Sequence, residues 1–171
     1  MNKSVAQPEI ELPSIYLVVG EIYFGKYAKE VKTLLGSCVS VTLWQPRLKL
    51  GGMCHILLPE DKEDNMDDPN NTRYAAGAIN WFLKHISNNK TRPSDYIVGL
   101  YGGGQMFSSV NNQFGTDIGG KNVKIVRELL AKHGFTIAHE DVSEPKYRNI
   151  VMDLSNGRVT IKATAVDETM G

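Results

Sequence analysis

Two short apolar runs on either side of a proline-containing break constrain this chain most. Leu34-Leu35-Gly36-Ser37-Cys38-Val39-Ser40-Val41-Thr42-Leu43-Trp44 is followed by Gln45-Pro46-Arg47-Leu48-Lys49 and then by Gly51-Gly52-Met53-Cys54-His55-Ile56-Leu57-Leu58-Pro59. Each run is rich in β-branched and large apolar residues, and the break contains a proline, which cannot donate to a β-ladder. The pattern predicts two strands, about 38–44 and 51–58, turning back on each other at 45–49. Such a hairpin brings Cys38 toward the strand that holds His55. A thiol and an imidazole on neighbouring strands are the minimum equipment for nucleophilic attack on an acyl carbon.

Gly36-Ser37 reads as a tight entry into the first strand, since glycine tolerates backbone geometry that other residues resist. A cysteine directly after such a turn can present its thiol at the strand end, and the turn's N–H groups can face an oxyanion. The ordinary fate of a free cysteine is burial in a core, and a lone strand histidine is ordinarily structural. Alternation along the second strand sends Cys54 and His55 to opposite faces. Cys54 is accordingly read as a core residue.

Elsewhere the chain divides into short strands and two helices. Residues 1–14 are polar, contain Pro8 and Pro13, and are expected to form a flexible arm. Ile15-Tyr16-Leu17-Val18-Val19 reads as a first strand, whereas 20–32 mixes aromatic and charged residues and gives no clear assignment. Asn70-Asn71-Thr72 offers N-caps for a helix running to about Ser87, with Tyr74, Ala78, Trp81, Phe82 and Ile86 at helical spacing. Tyr96 to Tyr101 reads as a buried strand running into Gly102-Gly103-Gly104. These glycines lack a nucleotide-binding pattern; they are expected to let backbone pass close to the Cys38 strand or leave room for a substrate side chain. A second helix is expected over about Lys121–His133, a strand over 135–142, and a final hairpin over 149–163 turning at Ser155-Asn156-Gly157. His85 and His133 fall on helices and His139 on a strand, all in structural or solvent-facing positions. Many strands with few helices indicate α+β, not an alternating βαβ order.

Composition narrows the function classes. The chain has 171 residues, enough for one domain with a real core, and 42% of them are hydrophobic. Lys plus Arg and Asp plus Glu are both 19, and neither a basic run nor an interleaved aromatic stripe points to nucleic acid. No apolar stretch approaches the roughly 20 residues needed to span a bilayer. Without a signal-like N-terminus the expectation is a cytoplasmic protein, not embedded in a membrane, whose two cysteines stay reduced. No C-x-x-C occurs, and neither a metal site nor a cofactor is indicated. The acidic segment 60–68 fits a solvated loop better than a calcium loop, because it lacks the EF-hand glycine and terminal glutamate; a partner-facing patch is the third option.

The run Thr33 to Val41, Gly51-Gly52, and His55-Ile56-Leu57-Leu58-Pro59 together resemble the chemoreceptor glutamine deamidase family, CheD. The likeness continues through Tyr74-Ala75, Gly102-Gly103-Gly104-Gln105-Met106-Phe107 and Ile118-Gly119-Gly120-Lys121-Asn122-Val123, and covers most of 15–165. It implies a layered sandwich of mixed sheets with two main helices packed outside, as one catalytic domain over 15–165 with a 166–171 tail. It further implies that Cys38 is a nucleophile, His55 its base and Thr33 the third member orienting the histidine. Gly36, Ser37, Gly102 and Gly103 would then shape the site or its oxyanion pocket, and Met106 and Phe107 would meet partners. The implied substrates are glutamines in the cytoplasmic helical bundles of chemotaxis receptors, and an implied partner is a CheC-type phosphatase of the response regulator. One stretch departs from the family: Ser143-Glu144-Pro145-Lys146-Tyr147 stands where a Gly-Gly pair is usual. Three rivals remain: a binding module that holds receptor or phosphatase without catalysis, another cysteine acyl-transfer enzyme, and a redox protein using Cys38 and Cys54.

Overall fold

The apolar run with its cysteine becomes the central strand of a five-stranded sheet, covered on both faces. The computed structural model describes residues 5, 11–59, 70–106 and 117–166. Strand β4 (Val39–Gln45) is buried at every position. A near-continuous apolar sequence is what a doubly covered strand requires. It pairs antiparallel with β5 (Leu50–Cys54), from Gln45 opposite Leu50 to Thr42 opposite Met53. The 46–49 turn joining them is pinned where the Leu48 N–H donates to the Gln45 side-chain oxygen at 2.9 Å. The sheet is completed by β2 (Ile22–Gly25), β6 (Ile97–Gly102) and β7 (Ile137–Val142), in the order β2-β5-β4-β6-β7.

A second sheet has the order β1-β3-β8-β9. Its members are β1 (Ser14–Tyr16), β3 (Glu30–Leu35), β8 (Lys146–Asp153) and β9 (Val159–Ala165). β1 runs parallel to β3, and the other pairs are antiparallel. With α1 (Ala75–Asn88) and α2 (Ile118–Lys132) the molecule has three layers. Val39, Val41, Leu43 and Ile56 face the helices, where they meet Ile79, Phe82, Val126 and Leu130. Cys38, Trp44, Met53 and Tyr101 face the second sheet, where they meet Val31, Leu35, Ile150 and Met152. Period-2 alternation along β4 thus sorts its side chains between two cores. The architecture is the expected α+β sandwich of mixed sheets with two helices outside.

Several element boundaries differ from those read in the sequence. The first strand is only three residues long, because Val18 and Val19 enter an exposed turn. The unassigned stretch 20–32 contains β2 and the start of β3. Helix α1 begins at Ala75 behind Tyr74, which makes no side-chain cap bond. The expected cap residues are engaged elsewhere: Thr72 donates to the Gly20 carbonyl at 2.6 Å and the Asn71 side chain accepts from the Arg73 N–H at 3.1 Å. Helix α2 begins three residues earlier than expected, capped by Asp117, whose carboxylate accepts from the Gly120 N–H at 2.9 Å. Phe107 and the acidic segment 60–68 lie outside the described residues.

Candidate active site

The site is built where β4 and β5 continue past their regular ladder. Beyond Thr42 and Met53 the register persists as an isolated rung: Val39 and Ile56 exchange both backbone bonds, at 3.1 and 2.8 Å. One rung between is replaced, since the Val41 N–H bonds the Cys54 sulfur at 3.3 Å. Cys54 therefore serves the ladder from the helix-side core, fully buried, and burial pushes its thiol up to about 12. Constant register sets Ser40 opposite His55 and Cys38 opposite Leu57. Because Val39 and Ile56 both face the helices, Cys38 and His55 both face the inter-sheet layer, as diagonal neighbours across the ladder.

Thr33 arrives from the other sheet. It is fully buried on β3, opposite Ile150 of β8. Its hydroxyl donates to the Leu17 carbonyl at 2.7 Å and lies 2.7 Å from His55 Nδ1. A hydroxyl has one proton. With that proton on Leu17, the hydroxyl accepts from Nδ1–H, and the Nε2 lone pair is left as the basic position. The Leu17 carbonyl also lies against the imidazole and favours its charged form, but burial outweighs it and holds His55 below the ordinary histidine value. Burial pushes the Cys38 thiol above its ordinary value. Both shifts favour the neutral forms of Cys38 and His55.

The glycine run braces the Gly36–Cys38 loop. Gly103 and Gly104 donate to the carbonyls of Cys38 and Gly36, each at 2.9 Å. Gly102 and Gly103 have positive φ (103° and 66°), and a Cβ on Gly102 would collide with the Cys38 carbonyl. Gly119, in the first turn of α2, lies so close that a Cβ there would sit 2.5 Å from the Gly103 carbonyl oxygen. Among the described residues, the N–H groups of Ser37 and Cys38 meet no acceptor. At the rim, a Cβ on Gly36 would lie 3.1 Å from the Met106 sulfur and 3.5 Å from the Tyr147 ring.

Two buried residues here are given no role by the sequence reading. Arg148, fully buried on β8, bonds the Asp141 carboxylate at 3.0 Å, and its other nitrogens donate to the carbonyls of Gly102 and Ser143. Asn122, fully buried on α2, donates from Nδ2 to the carbonyls of Ser37 and Leu57, both at 3.2 Å. Both carry a periodic signal: Arg148 alternates with buried Ile150 and Met152, and Asn122 is four residues before Val126 and eight before Leu130. His85 is a helix-face residue, as expected, stacked on Trp81 with centroids 3.7 Å apart.

A thiol and a tautomer-fixed imidazole held between two sheets, beside free backbone N–H groups, form the kind of site that performs thiol-dependent acyl transfer. Comparison with known proteins narrows that class. The family model described as "CheD chemotactic sensory transduction" matches residues 57–163, a segment that begins just past His55. The chain is 38% identical over 152 residues to a probable chemoreceptor glutamine deamidase of Dechloromonas aromatica, covering 87% of this chain and 86% of the relative. It is 34% identical over 163 residues to one of Pseudomonas fluorescens (95% and 88% covered), and 33% identical over 144 residues to one of Methanococcus vannielii (84% and 91% covered). The chain belongs to the CheD family.

Proposed function

We propose that this chain is a protein-glutamine deamidase of chemoreceptors, with Cys38 as nucleophile, His55 as general base and acid, and Thr33 holding the tautomer. The observation that carries the reading is the Leu17 carbonyl–Thr33–His55 relay, which fixes the proton on Nδ1 and leaves Nε2 as the basic nitrogen.

His55 takes the thiol proton as Cys38 attacks the side-chain amide carbon of a glutamine. The oxygen of the tetrahedral intermediate gathers negative charge beside the N–H groups of Ser37 and Cys38. His55 then returns the proton to the amide nitrogen, because neutral ammonia leaves far more readily than an amide anion. A thioester remains. Water, deprotonated by His55, attacks it, and the products are glutamate and the restored thiol. Starting from a neutral pair, the proton moves as the carbon is attacked instead of resting as an ion pair. Met106 and Tyr147, beside Gly36, would meet the receptor helix or a CheC-type phosphatase. Receptor glutamines on cytoplasmic bundles place this work in the cytoplasm; no helix among the described residues is long and apolar enough to cross a membrane.

The test is the intact mass of a receptor cytoplasmic fragment after incubation with wild type, Cys38→Ala and Thr33→Val. Wild type should add about 1 Da per site with release of ammonia, Cys38→Ala nothing, and Thr33→Val should be slowed about 10²-fold or more. Receptor binding without a mass shift would replace the reading with a non-catalytic binding module.

A further inference from the structure

We propose that Asn122 is a positioning residue for the deamidation site, aiming the Ser37–Cys38 peptide so that the Cys38 N–H faces the developing oxyanion. The inference rests on the deamidase reading. The nucleophile and its base lie on separate segments, and among the described residues the backbone ties them past the regular ladder through the Val39–Ile56 rung alone. The Asn122 side chain ties them a second time. Its single NH2 group donates to the Ser37 carbonyl, in the peptide preceding Cys38, and to the Leu57 carbonyl, on the residue facing Cys38.

A trans peptide is planar, with its C=O and N–H directed oppositely. Asn122 lies on α2, so it draws the Ser37 C=O toward the helix layer. The N–H of the same peptide, which belongs to Cys38, is thereby turned toward the inter-sheet layer, where the thiol and His55 are. The residue type follows from the task. Two carbonyls must be met by one neutral side chain carrying two protons, which asparagine supplies. Aspartate would present acceptors to acceptors, and leucine would leave both carbonyls orphaned. The choice has a cost visible in the structure: Asn122 Oδ1 is buried without a partner among the described residues. An asparagine kept for packing alone has no reason to bear that cost. Helix α2 comes near enough because Gly119, one turn earlier, packs directly on the carbonyls of Gly103 and Gly104.

The test separates oxyanion alignment from simple support of the fold. Alkylation of Cys38 by iodoacetamide needs the thiol and its access but develops no oxyanion; deamidation needs both. In Asn122→Ala, kcat on a receptor fragment should fall about 10²–10³-fold. KM and the Cys38 alkylation rate should stay within about threefold of wild type, the split expected when only transition-state binding is lost. Asn122→Ser, which keeps one donor, should fall between. Parallel losses of kcat and alkylation, or no loss in either, overturn the proposal. So does failure of both variants to fold, which would make Asn122 a core residue. A wild type that alkylates at Cys38 but deamidates nothing refutes the deamidase reading and this role with it.

Discussion

The loop between β7 and β8 offers the sharpest test of how this chain keeps its site in shape. Ser143 and Glu144 both occupy the left-handed region, with φ of 64° and 60°. The backbone conformation that glycines favour is thus adopted by residues with side chains. Its purpose is visible in its bonds. The Ser143 N–H donates to the Gly102 carbonyl, the Glu144 carbonyl accepts from Gln105, and the Ser143 carbonyl accepts from Arg148. All three contacts are backbone on the loop side, so glycine keeps them. The left-handed conformation costs an L-residue about 1–2 kcal/mol. Glycine recovers that but loses about 0.5–1 kcal/mol through the greater freedom of the unfolded chain. The Glu144 carboxylate gives up one exposed contact, 3.3 Å from Lys146, worth close to nothing. Ser143→Gly plus Glu144→Gly should therefore stabilise by about 1 kcal/mol in sum, raising Tm by about 2–4 °C for a chain of this size. Thermal unfolding followed by circular dichroism reads this directly, with the single variants showing whether the two sites add. An unchanged or lowered Tm would refute the strain argument and imply that the side chains make stabilising contacts that outweigh it.

Further outcomes follow from the buried polar groups. Ser40→Ala should raise stability by about 1 kcal/mol, because the Ser40 hydroxyl is fully buried without a described partner; a fall in the urea midpoint would mean that the hydroxyl is satisfied in solution. Asp141→Ala should cost about 2–3 kcal/mol by leaving the Arg148 guanidinium buried without its carboxylate, and adding Arg148→Met should recover most of it; a double variant no more stable than Asp141→Ala would contradict this. With thiol and imidazole both neutral at rest, Cys38 alkylation should keep climbing above the ordinary thiol value of 9.0, while deamidation loses rate only below the ordinary histidine value of 6.5. Since His55 is harder to protonate folded than unfolded, stability should also fall as pH drops below 6.5, the loss being complete below the depressed folded value; an alkylation plateau already reached at pH 7 would instead reveal a resting thiolate.

What the sequence disclosed and what it hid divide along a physical line. The hairpin was legible because proline in the turn and period-2 alternation are local facts, and alternation also put Cys54 and His55 on opposite faces. The short elements were harder. β2 is a four-residue edge strand, half-buried throughout, and β3 carries Leu34 outward at 48% exposure beside Lys32, so neither shows clean alternation. Helix starts were misplaced because Thr72 and Asn71 hydrogen-bond elsewhere, and because Gly119 and Gly120 lie inside the first turn of α2, where propensity argues against a helix. Thr33 could be named only through family resemblance. That its hydroxyl bonds Leu17 and His55, 16 and 22 residues away, is a property of how two sheets stack, which no local pattern encodes.

Asn122 and Arg148 show why polar residues carry the missing information. Both occupy positions whose periodicity assigns them to a core, yet their chemistry suggests surface, and tertiary partners decide the conflict. Buried polar groups are ordinarily satisfied, so the exceptions are informative. Thr33 and Arg148 each have named partners, and His55 has one at Nδ1. The two buried side-chain atoms without a described partner are Ser40 Oγ and Asn122 Oδ1. One belongs to the residue facing His55 across the ladder; the other belongs to the side chain that bonds the residue before Cys38 and the residue facing it. A fold under selection for stability alone would replace both with apolar groups. That the unmet hydrogen-bonding capacity falls on neighbours of Cys38 and His55 in the ladder, instead of being spread over the two cores, supports the proposal that the chemistry lies at this end of the sandwich.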